Sequence, residues 1–180
     1  ASPRPRTYDE SHAGGPWAYD RDVENYPSVS FGHVGLDTIT DGLRLGDNVV
    51  WQVDDIDDFR RVVDPYIAQA RTDGRTIVYV RFASHPPLID DVSDIHVHEV
   101  DPTEGFESFA TAVHLLASAE GFGAFYVFDC LTDLIEPWHS DLMVMNFFTV
   151  TCPHLYELDT VAFFALLRDQ FGATAGSLSQ

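Results

Sequence analysis

The sequence predicts a three-layer α/β fold with a mostly parallel central sheet, on three observations. Short apolar runs alternate with segments whose apolar residues recur every three or four positions, as strands alternating with single helices do. The run AFYVFDCL at 124–131 is apolar almost throughout, the signature of a parallel strand buried on both faces. The chain of 180 residues, 45% hydrophobic, is long enough for one domain with a full core.

Residues 1–28 are rich in Pro, Gly, Ser and charge and read as an extended arm, with Trp17, Tyr19 and Tyr26 available to tack it onto the body. Residues 29–170 form the domain, and 171–180 read as a flexible tail. A short helix is expected around 36–41, ended by Gly42. The first core strand is 48–53, followed by a sharp acidic turn carrying Asp54, Asp55, Asp57 and Asp58 and a helix starting near Asp57. Phe59, Val62, Val63, Tyr66, Ile67 and Ala70 place one apolar face of that helix on the sheet. Pro65 within it predicts a kink or a restart capped by Asp64.

A second strand is expected at 76–82, then a loop forced open by Pro86 and Pro87. A third strand at 95–100 alternates as IHVHEV. Asp101, Pro102 and Glu104 make a helix start: Asp caps, Pro takes the first helical position and Glu closes the box. The helix presents Phe106, Phe109, Ala110, Val113, Leu116 and Ala117 on one side, and Gly121 and Gly123 end it. After the buried strand at 124–131, a helix is predicted over 140–150, stopped by Cys152–Pro153. LYEL at 155–158 reads as a short fifth strand, and Asp159 as the cap of a last helix through Arg168.

The charge narrows the function classes. The net charge is -19, and all ten basic residues are Arg. Without Lys there is no Schiff-base chemistry and no P-loop lysine. Without a basic stripe neither nucleic acid nor an anionic membrane surface is a partner. Cys130 and Cys152 are too few for a disulfide scaffold and read as buried thiols. No run approaches the ~18 apolar residues of a membrane span, and the N-terminal stretch lacks a secretory apolar core. A cytoplasmic protein is the expectation.

Ligands in sheets of this kind gather at the carboxyl ends of the strands, which here should carry 53–58, 81–87 and 129–133. Asp54 and Asp55, with their acidic neighbours, could hold Mg²⁺ through oxygen ligands; the competing reading is capping at a helix N-terminus. A triphosphate there would meet like charge, about 3 kcal/mol per pair near 5 Å at an effective dielectric of about 20. Asp129, at the tip of an apolar strand, fits the pattern of a Walker B acid that orders Mg²⁺ through water, or an acceptor for a neighbouring loop's backbone; Thr132 and Asp133 share that edge. His96 and His98 point to one face of a strand, half of a metal site needing a third ligand such as His85 or His114, or ordinary surface histidines. No G-x-S-x-G or C-x-x-C motif is present.

The segment GLDTITDGLRLGDNVVWQV resembles the opening of RecA/KaiC-like ATPases, and FYVFDCLTDL resembles their Walker B strand, with Asp129 and Thr132 on the acid and the following hydroxyl. Residues 29–168 resemble the KaiC-like module of some phosphoenolpyruvate synthase/pyruvate phosphate dikinase-like proteins, with TCPHLYELDTVAFFALLR the most particular match. The resemblance implies a RecA-like P-loop NTPase topology and a nucleotide site at Asp54, Asp55, Asp129 and Thr132, with Mg²⁺ and nucleotide as its cofactors if the site were active. Yet VDDIDDFR stands where the family carries G-x-x-G-x-G-K-T, and Ala83, Ser84 and His85 stand where it places catalytic glutamates. A haloacid-dehalogenase-type phosphatase would need a second acid at 131, where Leu131 stands. The expectation is a non-hydrolysing module without a bound cofactor. Its partners would be its own copies or other parts of a phosphotransferase system, whose catalytic domains would belong to a longer polypeptide. The rival is an Mg²⁺-dependent nucleotide-binding or phosphoryl-transfer enzyme with an unconventional acidic loop.

Overall fold

The computed structural model describes residues 28–168; the arm predicted at 1–28, apart from Ser28, and the tail at 171–180 lie outside them. The chain runs α1 (Val34–Thr40), β1 (Asn48–Val53), α2 (Ile56–Thr72), β2 (Ile77–Arg81), β3 (His96–Glu99), α3 (Phe106–Glu120), β4 (Phe125–Cys130), α4 (Ile135–Trp138), α5 (Asp141–Glu157) and β5 (Val161–Leu167). The strands form one five-stranded sheet in the order β1-β5-β4-β2-β3, and every pairing is parallel. Helices cover both faces, giving the expected three layers.

Alternation along each strand divides the core in two. Tyr79, Phe125, Val127, Val161 and Phe163 face α2. Tyr66 of α2 stacks on Phe163 with ring centroids 3.9 Å apart, and its hydroxyl donates to the Val161 carbonyl at 2.9 Å. Val78, Val80, Tyr126, Phe128 and Phe164 face α3 and α5, where Phe109 meets Trp138 and Phe147 edge-on. The crossover after β1 therefore passes over one face, and those after β3 and β4 pass over the other.

Four of the five predicted strands stand within a residue or two of expectation. Three predictions at the chain's end do not hold. Residues 155–158 are no strand: α5 continues through Pro153 to Glu157 and takes them into its last turn. The segment after Asp159, predicted as a helix, is β5, hydrogen-bonded to β1 on one side and β4 on the other. VAFFALL suits either state locally; two open strand edges decide for the strand. Of the two outcomes expected at Pro65, a restart capped by Asp64 does not occur: α2 runs on as one helix with Pro65 inside it. At Gly46 (φ +102°) a Cβ would stand 2.6 Å from the Tyr156 ring, so α5 packs close against the start of β1 because that residue is Gly.

Candidate functional site at the carboxyl edge of the sheet

Because all strands are parallel, the three predicted segments do share one edge. The structure joins two of them and leaves the third apart. Asp129, near the end of β4, is fully buried. Its Oδ2 accepts from the backbone N–H groups of Phe82 and Ala83, both at 3.0 Å. Its Oδ1 accepts from the Tyr79 hydroxyl at 2.6 Å. Tyr79 in turn accepts from the Leu88 N–H at 2.9 Å, so one carboxylate and one phenol fix both ends of the loop that leaves β2. The Arg81 Nε lies 3.6 Å from Oδ2, and Arg81 donates to the His85 carbonyl at 2.9 Å. Burial, together with the Asp129 charge, pushes the Tyr79 hydroxyl well above its ordinary range.

His85 turns its Nε2 between two acids, 3.8 Å from Asp129 and 3.8 Å from Asp133. Burial raises the Asp133 carboxyl above its ordinary range; His85 opposes that shift, and Asp129 and Glu136 add to it. Asp133 lines a cleft of about 490 Å³ with Ser84, Thr103, Glu136 and His139. Groups that exchange protons therefore stand here, but Asp129 does not open into solvent. Thr132, also buried, uses its hydroxyl oxygen to accept from the Leu167 N–H at 2.9 Å, tying β4 to β5.

Asp54 and Asp55 lie at the end of β1, and β5 separates that corner from β4. Two strand spacings are about 10 Å. The turn is built as a helix start. The Asp55 side chain caps α2, accepting from the Asp57 N–H at 2.8 Å. Asp54 pairs with Arg168 at 3.3 Å, Asp58 with Arg61 at 3.0 Å and Asp57 with Arg60 at 3.6 Å. Arg60 also donates to the Pro87 carbonyl. The first turn of α2 thus presents Asp57 and Asp58 at the end of the helix where an anion would dock.

His96 and His98 do share a face of β3. They meet neither His85 nor His114 but the two oxygens of Glu120, the last residue of α3, each at 2.6 Å. Each imidazole addresses a different oxygen, on opposite branches of the carboxylate. Among the described residues no group of three or more His, Cys, Asp or Glu is arranged to hold a metal ion. Burial pushes Glu120 up, but its bonds to the two histidines outweigh this and hold it below its ordinary value. His114 instead packs against His154 of α5 with ring centroids 4.8 Å apart.

Tyr79 and Glu120 carry no motif. Tyr79 stands 50 residues from Asp129, and only strand alternation, which puts it on the α2 side of β2, hinted at its direction. Cys130 is buried and Cys152 partly so, both free, and burial pushes the Cys152 thiol up to about 12. No helix among the described residues is long and apolar enough to cross a membrane.

The class defined by these observations is an all-parallel five-stranded α/β protein. Neither a scan of protein-family models nor a search of curated proteins returns a match for this chain.

Proposed function

We propose that this chain is a non-hydrolysing module of RecA/KaiC-like type that acts by assembly, with its own copies or with the other parts of a phosphoenolpyruvate synthase/pyruvate phosphate dikinase-like system. The observation that carries the reading is the state of Asp129. The acid that matches the Walker B position has both oxygens engaged by Tyr79, Phe82 and Ala83 and has no exposed surface. A hydrated Mg²⁺ could reach it only by breaking those bonds and leaving buried donors unpaired, at about 1–3 kcal/mol for each one. The acidic first turn of α2 supports the same reading, because it offers like charge where a phosphate would need backbone N–H groups and a cation.

Thermal unfolding with Mg²⁺, with nucleotide and with both together tests this. The expected result is no rise in Tm specific to the combination, and no ATP turnover above buffer. A rise seen only with Mg²⁺ and nucleotide together, or turnover abolished by Asp129→Asn, would favour the enzyme reading instead.

A further inference from the structure

We infer that the open edge of β1 pairs with the same edge of a second copy, antiparallel about a two-fold axis through Val50, so that two sheets join into one. This deepens the assembly reading above by naming the partner.

The sheet has two edges, and they differ. β3 is short and carries His96, His98 and Glu99, the kind of strand that resists pairing. β1 is longer, NVVWQV, with no charge, no Pro and no bulge. Its hydrogen-bonding phase is readable from its neighbour. The Asp47 carbonyl accepts from the Ala162 N–H and the Val53 carbonyl from the Arg168 N–H, both on the β5 side. Alternation then directs the N–H and C=O of Asn48, Val50 and Gln52 outward. Among the described residues β1 has a strand partner on one side only.

The strand is chemically palindromic about Val50: amide, bulky apolar, Val, bulky apolar, amide. Antiparallel pairing of Val50 with its own copy sets Asn48 against Gln52 and Val49 against Trp51. Every outward-facing residue then meets an outward-facing residue and exchanges both backbone bonds with it. A shift of one pair places Asn48 opposite Asp54 and loses this match. Asn48 spends its Nδ2 on the Gly46 and Cys152 carbonyls, which holds its side chain inward and leaves its backbone N–H and C=O for the seam. Val49 against Trp51 is the aromatic–β-branched pairing that stabilises sheets.

The helix above the seam fits the same occupant. Phe148 rests on Phe164 of β5, the Cys152 carbonyl receives Asn48, and Tyr156 lies against Gly46. Met145 falls on the same flank by helical spacing. From Leu142 to Tyr156 there is no Asp, Glu or Arg. Val50 is 40% and Met145 47% exposed. A chain of charge -19 repels its own copy over most of its surface; β1 and α5 offer a face where that repulsion is least. A basic partner would be drawn to the acidic faces instead. Asp47 and Asp54 flank the strand, so pairing should strengthen as salt screens them.

Light scattering and sedimentation of the full chain between about 0.05 M and about 1 M salt test the pairing, with exchange of the Asn48, Val50 and Gln52 amides as a second readout. The expected mass is twice the 20.1 kDa chain, with a dimer fraction that rises with salt. Val50→Lys, which sets two like charges together on the axis, and Met145→Asp, on a different element, should each return the single-chain mass with an unchanged circular dichroism spectrum. The three amides should lose about tenfold or more of their protection in Val50→Lys. A single-chain mass at every salt concentration overturns the inference, and with those amides still protected it assigns the edge to another segment of the chain. Dimers that survive both substitutions also overturn it. ATP turnover would defeat the non-hydrolysing reading and leave this pairing standing; a monomer would defeat the pairing and leave the Asp129 argument standing.

Discussion

Two acidic corners lie on the same edge of the sheet, and they do opposite things. After β1, Asp54, Asp55, Asp57 and Asp58 sit in or near solvent, cap a helix and pair with arginines at the surface. Near the end of β4, a single acid, Asp129, is sealed inside and holds a phenol and two backbone amides. The first corner has much charge and little leverage, since exposed ion pairs contribute about 0–1 kcal/mol each. The second has one charge and determines the path of the loop from Phe82 to Leu88. Counting acids would therefore rank the two corners in the wrong order; burial and bond count rank them correctly.

Substitution can break or sharpen this contrast. The largest effect should come from Asp129→Ala, which leaves the Tyr79 hydroxyl and the Phe82 and Ala83 N–H groups unpaired in the interior. Chemical denaturation should show a loss of about 3–5 kcal/mol. A loss below about 1 kcal/mol would mean that water replaces those bonds and that the corner is not sealed. At the exposed corner, Asp55→Ala removes a helix cap and should cost about 1 kcal/mol, while Asp54→Ala should change stability by less than about 0.5 kcal/mol.

The subtlest test lies beside the sealed corner, at Asp133. Its folded-state carboxyl titrates above the ordinary value because of burial, so the folded protein binds this proton more tightly than the unfolded chain does. Ionised Asp133 therefore weakens the fold at neutral pH, and the penalty is relieved as pH falls through the raised value. Asp133→Asn should raise Tm slightly near neutral pH, with the gain shrinking toward acid. A gain independent of pH would show that the effect comes from packing and not from the charge.

The acidic turn after β1 was legible in the sequence because capping is local: Asp55 needs only the amide two residues on. Of the readings open for Asp129, acceptance from a neighbouring loop's backbone was available in advance, but its partners were not. Phe82 and Ala83 come from a distant strand end, and nothing in their types marks them as donors. His96 and His98 were placed on one face by alternation alone, whereas Glu120, which joins them, comes from a helix end that no ligand spacing reaches.

The sequence by itself determined β1 to β4, α2, the body of α3 and a class of three layers around a parallel sheet, because period, caps and breakers act within a few residues; the cap expected for α3 at Asp101 instead starts a separate 3-10 turn, Pro102–Glu104, and α3 begins at Phe106 after Gly105. Only the tertiary structure decided the last strand and the length of α5. VAFFALL has no period of its own, so its state rests on the unsatisfied backbone groups of β1 and β4 on either side. Pro153, a helix breaker by local rules, is carried inside α5. There the burial of Phe147, Thr151 and Leu155 on the inner face of α5 outweighs the loss of one backbone bond.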